Sequence, residues 1–320
     1  MLVAVNQKGQ TVNLLEKPEV KKGDYYCPAC AGKVRYRSGK ILRSHFAHQT
    51  LLDCDFWSEN ESAQHLSLKS SLYKWLQGQE EVDLEAYLPA TKQVADLLVN
   101  QQLALEVQCS SLSISRLQER TAAYQQAGMA VLWLLGKDLW LGERLTNLHK
   151  QFLYFSMNMG FHLWELDAEK EELRLHYLIH EDWHGKVHKL TKVFPFGQGS
   201  LLAILRSPFA KQALSYFTCS SDPDLLDYVA KQLYYRVPKW MALQAEAYQQ
   251  GKNLLSQSLD DFYPQIRLPR SAIGFAQIRQ DLSPLYPTFD QYYAGVTDKR
   301  KQAVYPPAVY WKKVEQKNDK

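Results

Sequence analysis

Long apolar runs are absent from this 320-residue sequence, and cysteine is scarce. No stretch approaches the ~18 apolar residues that a membrane-spanning helix requires, so no membrane span is expected. The first twenty residues lack the basic head, apolar stretch and cleavage site of a secretory signal, so we expect a cytoplasmic protein. The five cysteines include a Cys-x-x-Cys pair, which in such a protein favours reduced thiols and a metal site over a disulfide framework.

A strong charge of one sign is also missing. The 38 Lys and Arg residues nearly balance the 34 Asp and Glu residues, which leaves a net charge of +4. This balance permits nucleic-acid binding but falls short of the strongly basic composition that predicts it. With 46% hydrophobic and 22% charged residues the chain is not disordered, and its length predicts more than one domain.

Hydrophobic periodicity predicts a mixed α+β protein. The elements predicted up to residue 135 are a hairpin in 1–20, a Cys/His-rich segment over 24–54, a helix over 58–77, strands over 93–99 and 103–109, a helix over 113–126 and a strand over 130–135. Later segments are a helix over 146–160, a hairpin over 161–167 and 172–179, and mostly helices over 200–260. These patterns predict three domains: residues 1–56, residues 57–145, and a mainly helical region over residues 146–320.

The Cys/His-rich segment has the spacing of a metal site. Cys27 and Cys30 form the Cys-x-x-Cys pair, and His45 and His48 follow after fourteen residues. Zinc is held tetrahedrally by thiolate sulfur and imidazole nitrogen, so the pattern predicts a structural Zn²⁺ site. Cys54 is close enough in sequence to replace a histidine. The expected ligands are therefore the two paired cysteines with two of His45, His48 and Cys54.

Basic residues occupy the loop between the two ligand pairs. Arg35, Arg37 and Arg43 lie there together with Lys33 and Lys40. A basic loop that is stapled by a metal is suited to contacts with DNA phosphates. The alternative is an ordinary solvated loop.

Two carboxylates interrupt an otherwise apolar hairpin. If residues 100–102 form a three-residue loop, Asp96 lies directly opposite Glu106, and Gln108 shares their face. Opposed carboxylates repel each other, and Mg²⁺ or Mn²⁺ removes that repulsion because these ions prefer oxygen ligands. A two-residue turn would put the acids on opposite faces of the hairpin, and a solvent-facing edge hairpin would need no ion.

The preceding helix carries two more candidates. Its apolar stripe continues backward to His65 and then to Glu61, at a spacing of four residues, so both are expected on the buried face near the helix start. A carboxylate at that end interacts favourably with the helix dipole. The alternative is an exposed first turn that carries a simple Glu–His pair.

The C-terminal half offers weaker patterns. His180, His184 and His188 repeat every four residues, which is typical of a metal site on a helix but also of polar histidines on a loop or interface. Basic residues alternate with aromatic ones over residues 267–317. That texture is typical of single-stranded nucleic-acid binding and equally of an ordinary packed surface with a lysine-rich tail.

The ordered combination of motifs in the first 140 residues resembles a known family. Glu61-x-x-x-His65, then Asp96, then Glu106-x-Gln108 resemble the PD-(D/E)xK nuclease superfamily, with Gln108 in the place of its lysine. Preceded by Cys-Pro-Ala-Cys and His-Phe-Ala-His, this combination resembles the competence protein CoiA family. The resemblance implies a restriction-endonuclease-like αβββαβ core, an N-terminal zinc-finger-like module and a further C-terminal region.

The resemblance also implies roles for the acidic residues. Asp96, Glu106 and Glu61 would bind the catalytic Mg²⁺ or Mn²⁺, and His65 and Gln108 would complete the catalytic site. A glutamine cannot act as a base, although it can hold a water molecule by hydrogen bonds.

Two cationic residues complete the expected site. Lys69 lies one helical turn beyond His65, and it or His65 can supply the function of the missing lysine. Arg120 shares a helix face with Tyr124 and is expected to contact DNA phosphate, as is Lys69; a solvated helix face is the alternative for Arg120.

The function implied by the resemblance is an action on incoming single-stranded DNA during natural transformation, in support of homologous recombination. The first hypothesis is a Mg²⁺- or Mn²⁺-dependent deoxyribonuclease that acts on single-stranded or branched DNA. The second is a non-catalytic DNA-binding factor that assists the loading of a recombinase. The expected partners are DNA, a recombinase and other competence proteins.

Overall fold

A computed structural model describes residues 1–16, 20, 23–38, 44–49, 54 and 62–318. Within these residues, the strands are β1 (Val3–Asn6), β2 (Thr11–Asn13), β3 (Tyr25–Tyr26), β4 (Lys33–Arg37), β5 (His45–His48), β6 (Val82–Leu88), β7 (Gln93–Val99), β8 (Leu103–Gln108), β9 (Ala130–Leu135), β10 (Tyr154–Ser156), β11 (Gly160–Asp167), β12 (Glu172–Glu181), β13 (Val187–Pro195), β14 (Phe217–Ser220) and β15 (Lys301–Val304). The helices are α1 (Ala63–Leu76), α2 (Ile114–Gln126), α3 (Asn147–Gln151), α4 (Leu201–Arg206), α5 (Leu225–Tyr234), α6 (Pro238–Gln249), α7 (Leu285–Ala294) and α8 (Pro307–Asn318). The predicted mixed α+β class is confirmed.

The N-terminal strands form a small antiparallel sheet in the order β2-β1-β3-β4-β5. The predicted first hairpin is present, and Gly9 closes its turn with a φ of 75°, a conformation that favours glycine. Along β4, Val34 points into the module, whereas Lys33, Arg35 and Arg37 are exposed on the opposite face. This alternation gives the small sheet one apolar and one basic side.

A larger sheet follows in the order β13-β12-β11-β9-β8-β7-β6, with β10 paired to the first half of β11. Strand β9 runs parallel to both β8 and β11, and the other neighbours are antiparallel. The chain order from α1 to β9 is helix, three strands, helix, strand. Each of the five elements that periodicity predicted between residues 58 and 135 is present there.

Helices α1 and α2 each begin directly after a serine whose side chain caps the helix N-terminus. Ser62 accepts a hydrogen bond from the backbone N–H of His65, and Ser113 accepts one from the backbone N–H of Arg116. Capping of this kind satisfies backbone donors that have no partner inside the helix. Helix α1 packs its leucines against one face of the sheet, and α2 buries Leu117, Thr121 and Tyr124.

The sheet continues beyond the predicted domain boundary near residue 145. Strand β11 pairs in parallel with β9, with Trp164 opposite Leu134, and β12 and β13 extend the same sheet. Residues 146–160 were expected to be helical, but only α3 is a helix there and β10 follows it. The predicted hairpin over 161–167 and 172–179 is present as β11 and β12, and all eight residues of β11 are buried.

The region after β13 contains α4 to α8 and a two-stranded antiparallel sheet of β14 and β15. Its interior is an aromatic cluster in which Phe289, Tyr293 and Tyr310 are buried and contact one another. These tyrosines are therefore packed in the core. Their burial favours ordinary packing, rather than nucleic-acid binding, as the role of these aromatic residues. Within the described residues, every helix is too short or too polar to traverse a lipid bilayer.

We predict a loss of stability in mild acid from a buried histidine in this sheet. His162 is only 1% exposed, its Nδ1 contacts the carbonyl of Gly160 at 3.0 Å, and burial lowers its pKa to about 4. The unfolded chain binds a proton near pH ~6.5 that the folded chain resists, so the free energy of unfolding falls as pH drops from ~6.5 towards ~4.

The measurement is urea unfolding of the wild type and of His162→Asn, whose amide keeps a donor for Gly160. Between about pH 7 and about pH 5 the wild type should lose about 2 kcal/mol more than the variant. Equal losses in the two proteins would contradict this assignment.

Candidate active site and metal centre

Four potential metal ligands meet in the N-terminal module. The ligand atoms of Cys27, Cys30, His48 and Cys54 all lie within 4.8 Å of one another, and Cys30 Sγ is 3.4 Å from His48 Nε2. The turn that carries the first two is closed by the backbone, because Ala31 N–H donates to Cys27 C=O and Cys27 N–H donates to Gly32 C=O. The structure thus assembles four of the five predicted ligands.

The surroundings of this cluster fit a bound metal ion. A Cβ at Gly32 would lie 3.1 Å from Cys30 Sγ, so glycine leaves the sulfur its space. Burial raises the pKa of the Cys27 thiol to about 12, so a thiolate in this place needs a cation beside it. Three sulfurs and one imidazole make a closed, soft donor set that is typical of structural metal sites.

His45 is the fifth predicted ligand, and the structure places it outside the cluster. It lies on β5 three residues before His48, and side chains at odd spacing point to opposite faces of a strand. Phe46 and His48 share the face that meets the cysteines, and Phe46 is buried in the module's core. The second histidine position is therefore taken by Cys54.

The acidic residues of the hairpin lie where its two strands separate. Val99 pairs with Leu103 across a three-residue loop, as predicted, and pairing continues to Leu97 and Leu105. At the next position the strands part, and Asp96 Oδ2 accepts a hydrogen bond from the backbone N–H of Val107 at 2.8 Å. The two-residue turn that would have put the acids on opposite faces is excluded.

Asp96 is buried beside His65 and Lys69, two side chains from α1. His65 Nε2 lies 3.0 Å from Asp96 Oδ2, and Lys69 Nζ lies 3.5 Å from Asp96 Oδ1. Burial favours the neutral acid, but the attraction of His65 and Lys69 outweighs it, and the pKa of Asp96 is lowered. This carboxylate is ionised at neutral pH.

Glu106 has partners of its own from α2. Arg120 Nη2 lies 2.9 Å from Glu106 Oε1, and the Tyr124 hydroxyl donates to the same oxygen. The Arg120 guanidinium also stacks on Trp133, with its carbon 5.0 Å from the ring centroid. Burial and the nearby Asp96 carboxylate raise the pKa of Glu106, while Arg120 opposes that rise.

Each acid therefore has its own cation, which differs from the expectation that the pair requires a shared ion. Among the described residues, the Cys27 cluster alone brings three or more potential ligands together within 4.8 Å. Glu61, the third predicted carboxylate ligand, lies outside the described residues. Asp96 and Glu106 are thus close enough to affect each other's pKa, but they do not form a complete ligand set with the residues described.

The remaining predicted residues fall in different places. Gln108 is buried on the strand of Glu106, and its amide donates to the carbonyl of Ser110 at 2.8 Å. Arg35 and Arg37 are exposed on β4, and Arg43 lies outside the described residues. Arg35 and Arg37 are therefore accessible to solvent, as contact with DNA requires.

The prediction that Lys69 contacts DNA is wrong. Its side chain is fully buried, and its Nζ lies 2.6 Å from Glu85 Oε1. The sequence signal for this arrangement is Glu85, a charged residue between Leu84 and Ala86 of β6. Glu85 has a φ of 52° and also accepts hydrogen bonds from the backbone N–H groups of Leu2 and Val3.

The comparisons with known proteins agree with this organisation. A family model described as "Competence protein CoiA, N-terminal domain" matches residues 8–57, and one described as "Competence protein CoiA, nuclease-like domain" matches residues 61–207. Together the two matches cover more than half of the chain. The chain belongs to the CoiA family. The nuclease-like match extends to α4, past the boundary predicted near residue 145.

One curated relative shows the extent of the likeness. The competence protein CoiA of Bacillus subtilis (strain 168) is 32% identical over 125 residues, which are 38% of this chain and 34% of that protein. The match thus spans about a third of the relative's length. No solved structure matches this chain.

We predict that the cysteine cluster retains a divalent metal ion through purification, at about one ion per chain. His48→Ala should lose the metal, because one of four ligands is removed, whereas His45→Ala should retain it. The measurement is the metal content by inductively coupled plasma mass spectrometry. Equal retention by both variants would contradict the assignment of His48.

We also predict that Arg120→Leu destabilises the protein, because Glu106 stays buried without its cation or must take up a proton. The expected loss in the free energy of unfolding is about 3 kcal/mol at neutral pH. Arg116→Leu, at an exposed arginine on the same helix, should change it by less than about 0.5 kcal/mol. Urea unfolding compares the two, and a small loss in both would contradict the importance of the buried pair.

Proposed function

We propose that this protein is a metal-dependent deoxyribonuclease that processes incoming single-stranded or branched DNA during natural transformation and so promotes homologous recombination. The observation that carries the proposal is the pair of buried carboxylates, Asp96 and Glu106, at the point where β7 and β8 separate. They lie inside the part of the chain that matches a nuclease-like family model. Burying two acids in one place is costly, and such clusters occur preferentially at functional sites.

Asp96 and Glu106 are the residues that would hold Mg²⁺ or Mn²⁺, since both ions prefer carboxylate oxygens. Such an ion, when bound, supplies charge stabilisation and lowers the pKa of a coordinated water molecule. Glu61 is the proposed further ligand, although it lies outside the described residues. The geometry of Asp96 is held by Val107 and His65, which keep its carboxylate in place before any ligand arrives.

Two side chains, His65 and Arg120, would serve the reaction around these acids. His65 is partly exposed and contacts Asp96, so it is the group placed to take a proton from water, in the role that Gln108 cannot perform. Arg120 balances the charge of Glu106 in the free protein. When a cation takes over that balance, the guanidinium becomes available to a DNA phosphate, which it can bind through two hydrogen bonds.

The N-terminal module would hold the DNA. We propose that Zn²⁺ occupies the cluster of Cys27, Cys30, His48 and Cys54 and has a structural role. The exposed Arg35 and Arg37 side chains on β4 present positive charge for phosphate contacts. In this proposal the protein acts in the cytoplasm beside a recombinase and other competence proteins.

A second candidate function is a non-catalytic DNA-binding factor that assists recombinase loading. Two observations favour it: Gln108 stands where the superfamily has a lysine, and Glu106 already has an ion pair with Arg120 and a hydrogen bond from Tyr124. In such a protein the nuclease-like fold would bind DNA without cleaving it.

The test is cleavage by the purified full chain of defined single-stranded, duplex and branched DNA, with and without Mn²⁺. Asp96→Asn and Glu106→Gln should each lower the rate by about 100-fold or more, because several kcal/mol of metal-derived stabilisation are lost. Asp83→Asn, at an exposed acid on β6, is the matched control and should cleave normally.

DNA binding, measured by fluorescence anisotropy, separates the two candidate functions. Binding without Mn²⁺-dependent cleavage, together with normal transformation of an Asp96→Asn strain, would support the binding factor and overturn the nuclease.

A further inference from the structure

A cysteine, a histidine and an aspartate form a chain of contacts in the C-terminal half, remote in sequence from the acidic site and the metal cluster. Cys219 Sγ lies 3.5 Å from His188 Nδ1, and His188 Nε2 lies 2.9 Å from Asp182 Oδ2. None of the three takes part in the proposed nuclease or metal site. The His188 ring thus stands between a thiol and a carboxylate.

The fold brings these residues together from three segments. His188 lies on β13, directly opposite His180 of β12. The turn that joins these two strands carries Asp182. Strand β14 presents Phe217 and Cys219 from alternate positions, and the Phe217 ring contacts the His180 ring. Residues two apart in a strand share a face, so Cys219 is directed to the same side as Phe217, towards His188.

The aspartate fixes the protonation of the histidine. Asp182 accepts from His188 Nε2 and also from the backbone N–H of Lys186 at 2.9 Å, which orients its carboxylate. The contacts with Asp182 and Cys219 raise the pKa of His188 to about 9. An imidazolium then directs its Nδ1–H at the sulfur, and a cation beside a thiol favours the thiolate.

The other groups around the pair do not oppose this state strongly. His180 is buried, and burial lowers its pKa to about 4, so it is neutral. His184 is hydrogen-bonded to Asp222 at 2.7 Å rather than to the thiol. From β15 the residue paired with Cys219 is the uncharged Gln302.

We propose that Cys219 is a nucleophilic thiol, held as a thiolate by His188 and Asp182, and that hydroperoxides oxidise it to the sulfenic acid. Cys219 and His188 are both partly exposed, so a small reagent can reach the sulfur. A reactive thiol needs access to the reagent, which a buried thiol such as Cys109 lacks. The inference is independent of the proposed nuclease activity.

With hydrogen peroxide as the oxidant, the atoms, electrons and protons of the oxidation step balance between the peroxide, Cys219 and His188. The thiolate sulfur attacks one peroxide oxygen, so an S–O bond forms as the O–O bond breaks. Sulfur loses two electrons to the peroxide. The departing hydroxide takes the proton of the His188 imidazolium and leaves as water, and the sulfenic acid keeps the proton of the oxygen that was attacked.

The test is alkylation of the full-length protein by iodoacetamide, with the rate at Cys219 read from its own peptide by mass spectrometry. In the wild type the rate should be nearly constant from about pH 6 to about pH 8, because the thiolate is already formed. In His188→Gln it should rise with pH towards the ordinary thiol pKa of about 8.5 and be about tenfold slower at about pH 6.

His184→Gln is the matched control, since it removes a neighbouring histidine that does not contact the sulfur, and its profile should follow the wild type. If His188→Gln does not fold, the wild-type profile decides alone. A wild-type rate that climbs tenfold per pH unit up to about pH 8.5 overturns the proposal.

A second measurement addresses the oxidation. After treatment with hydrogen peroxide, dimedone should label Cys219 in the wild type and in His184→Gln, with several-fold less label in His188→Gln. Equal labelling of Cys219 in all three proteins, or no label in the wild type, overturns the proposed oxidation.

Discussion

A row of three buried carboxylates on neighbouring strands constrains the nuclease-like part of this protein. The pairing of Leu84 with Leu97 places Glu85 on β6 at the level of Asp96 on β7, and Glu106 on β8 is at the next position of the row. Three carboxyl groups in an apolar sheet are tolerated only with paired cations and hydrogen bonds. The helices and the N-terminal strand are arranged to provide them.

Lys69 is the centre of this arrangement, because it serves two of the three acids. It lies 2.6 Å from Glu85 and 3.5 Å from Asp96. Glu85 in turn accepts the backbone N–H groups of Leu2 and Val3, which docks the first strand of the N-terminal module onto the larger sheet. Because the same lysine contacts Asp96, the docking of the module and the charge of the candidate site are physically linked.

Arg120 neutralises the third acid from the opposite helix. Its ion pair with Glu106 and its stacking on Trp133 explain how this carboxylate is accommodated in the described protein. The ion pair between Arg120 and Glu106 is compatible with the proposed DNA-binding function. The proposed nuclease function requires that a divalent cation replace the guanidinium at Glu106. In the proposal, this one exchange of partners at Glu106 would separate the two candidate functions.

The sequence by itself determined the elements that local periodicity and short loops control. The bounds of β7, β8, α2 and β9 agree with the prediction to within a residue or two, and the three-residue loop brought Asp96 and Glu106 to one place. The same holds for the Cys-x-x-Cys turn, whose geometry is local. The tertiary structure decided everything that depends on distant partners.

The tertiary structure places Cys54 rather than His45 in the metal cluster, because His45 and His48 point to opposite faces of β5. It buried Lys69 against Glu85, and it joined β11 to β9 across the predicted domain boundary. The sequence does not show whether a charged side chain is exposed to water or is buried against a counter-ion. Only the folded chain shows which environment it has, because the partner comes from another part of the sequence.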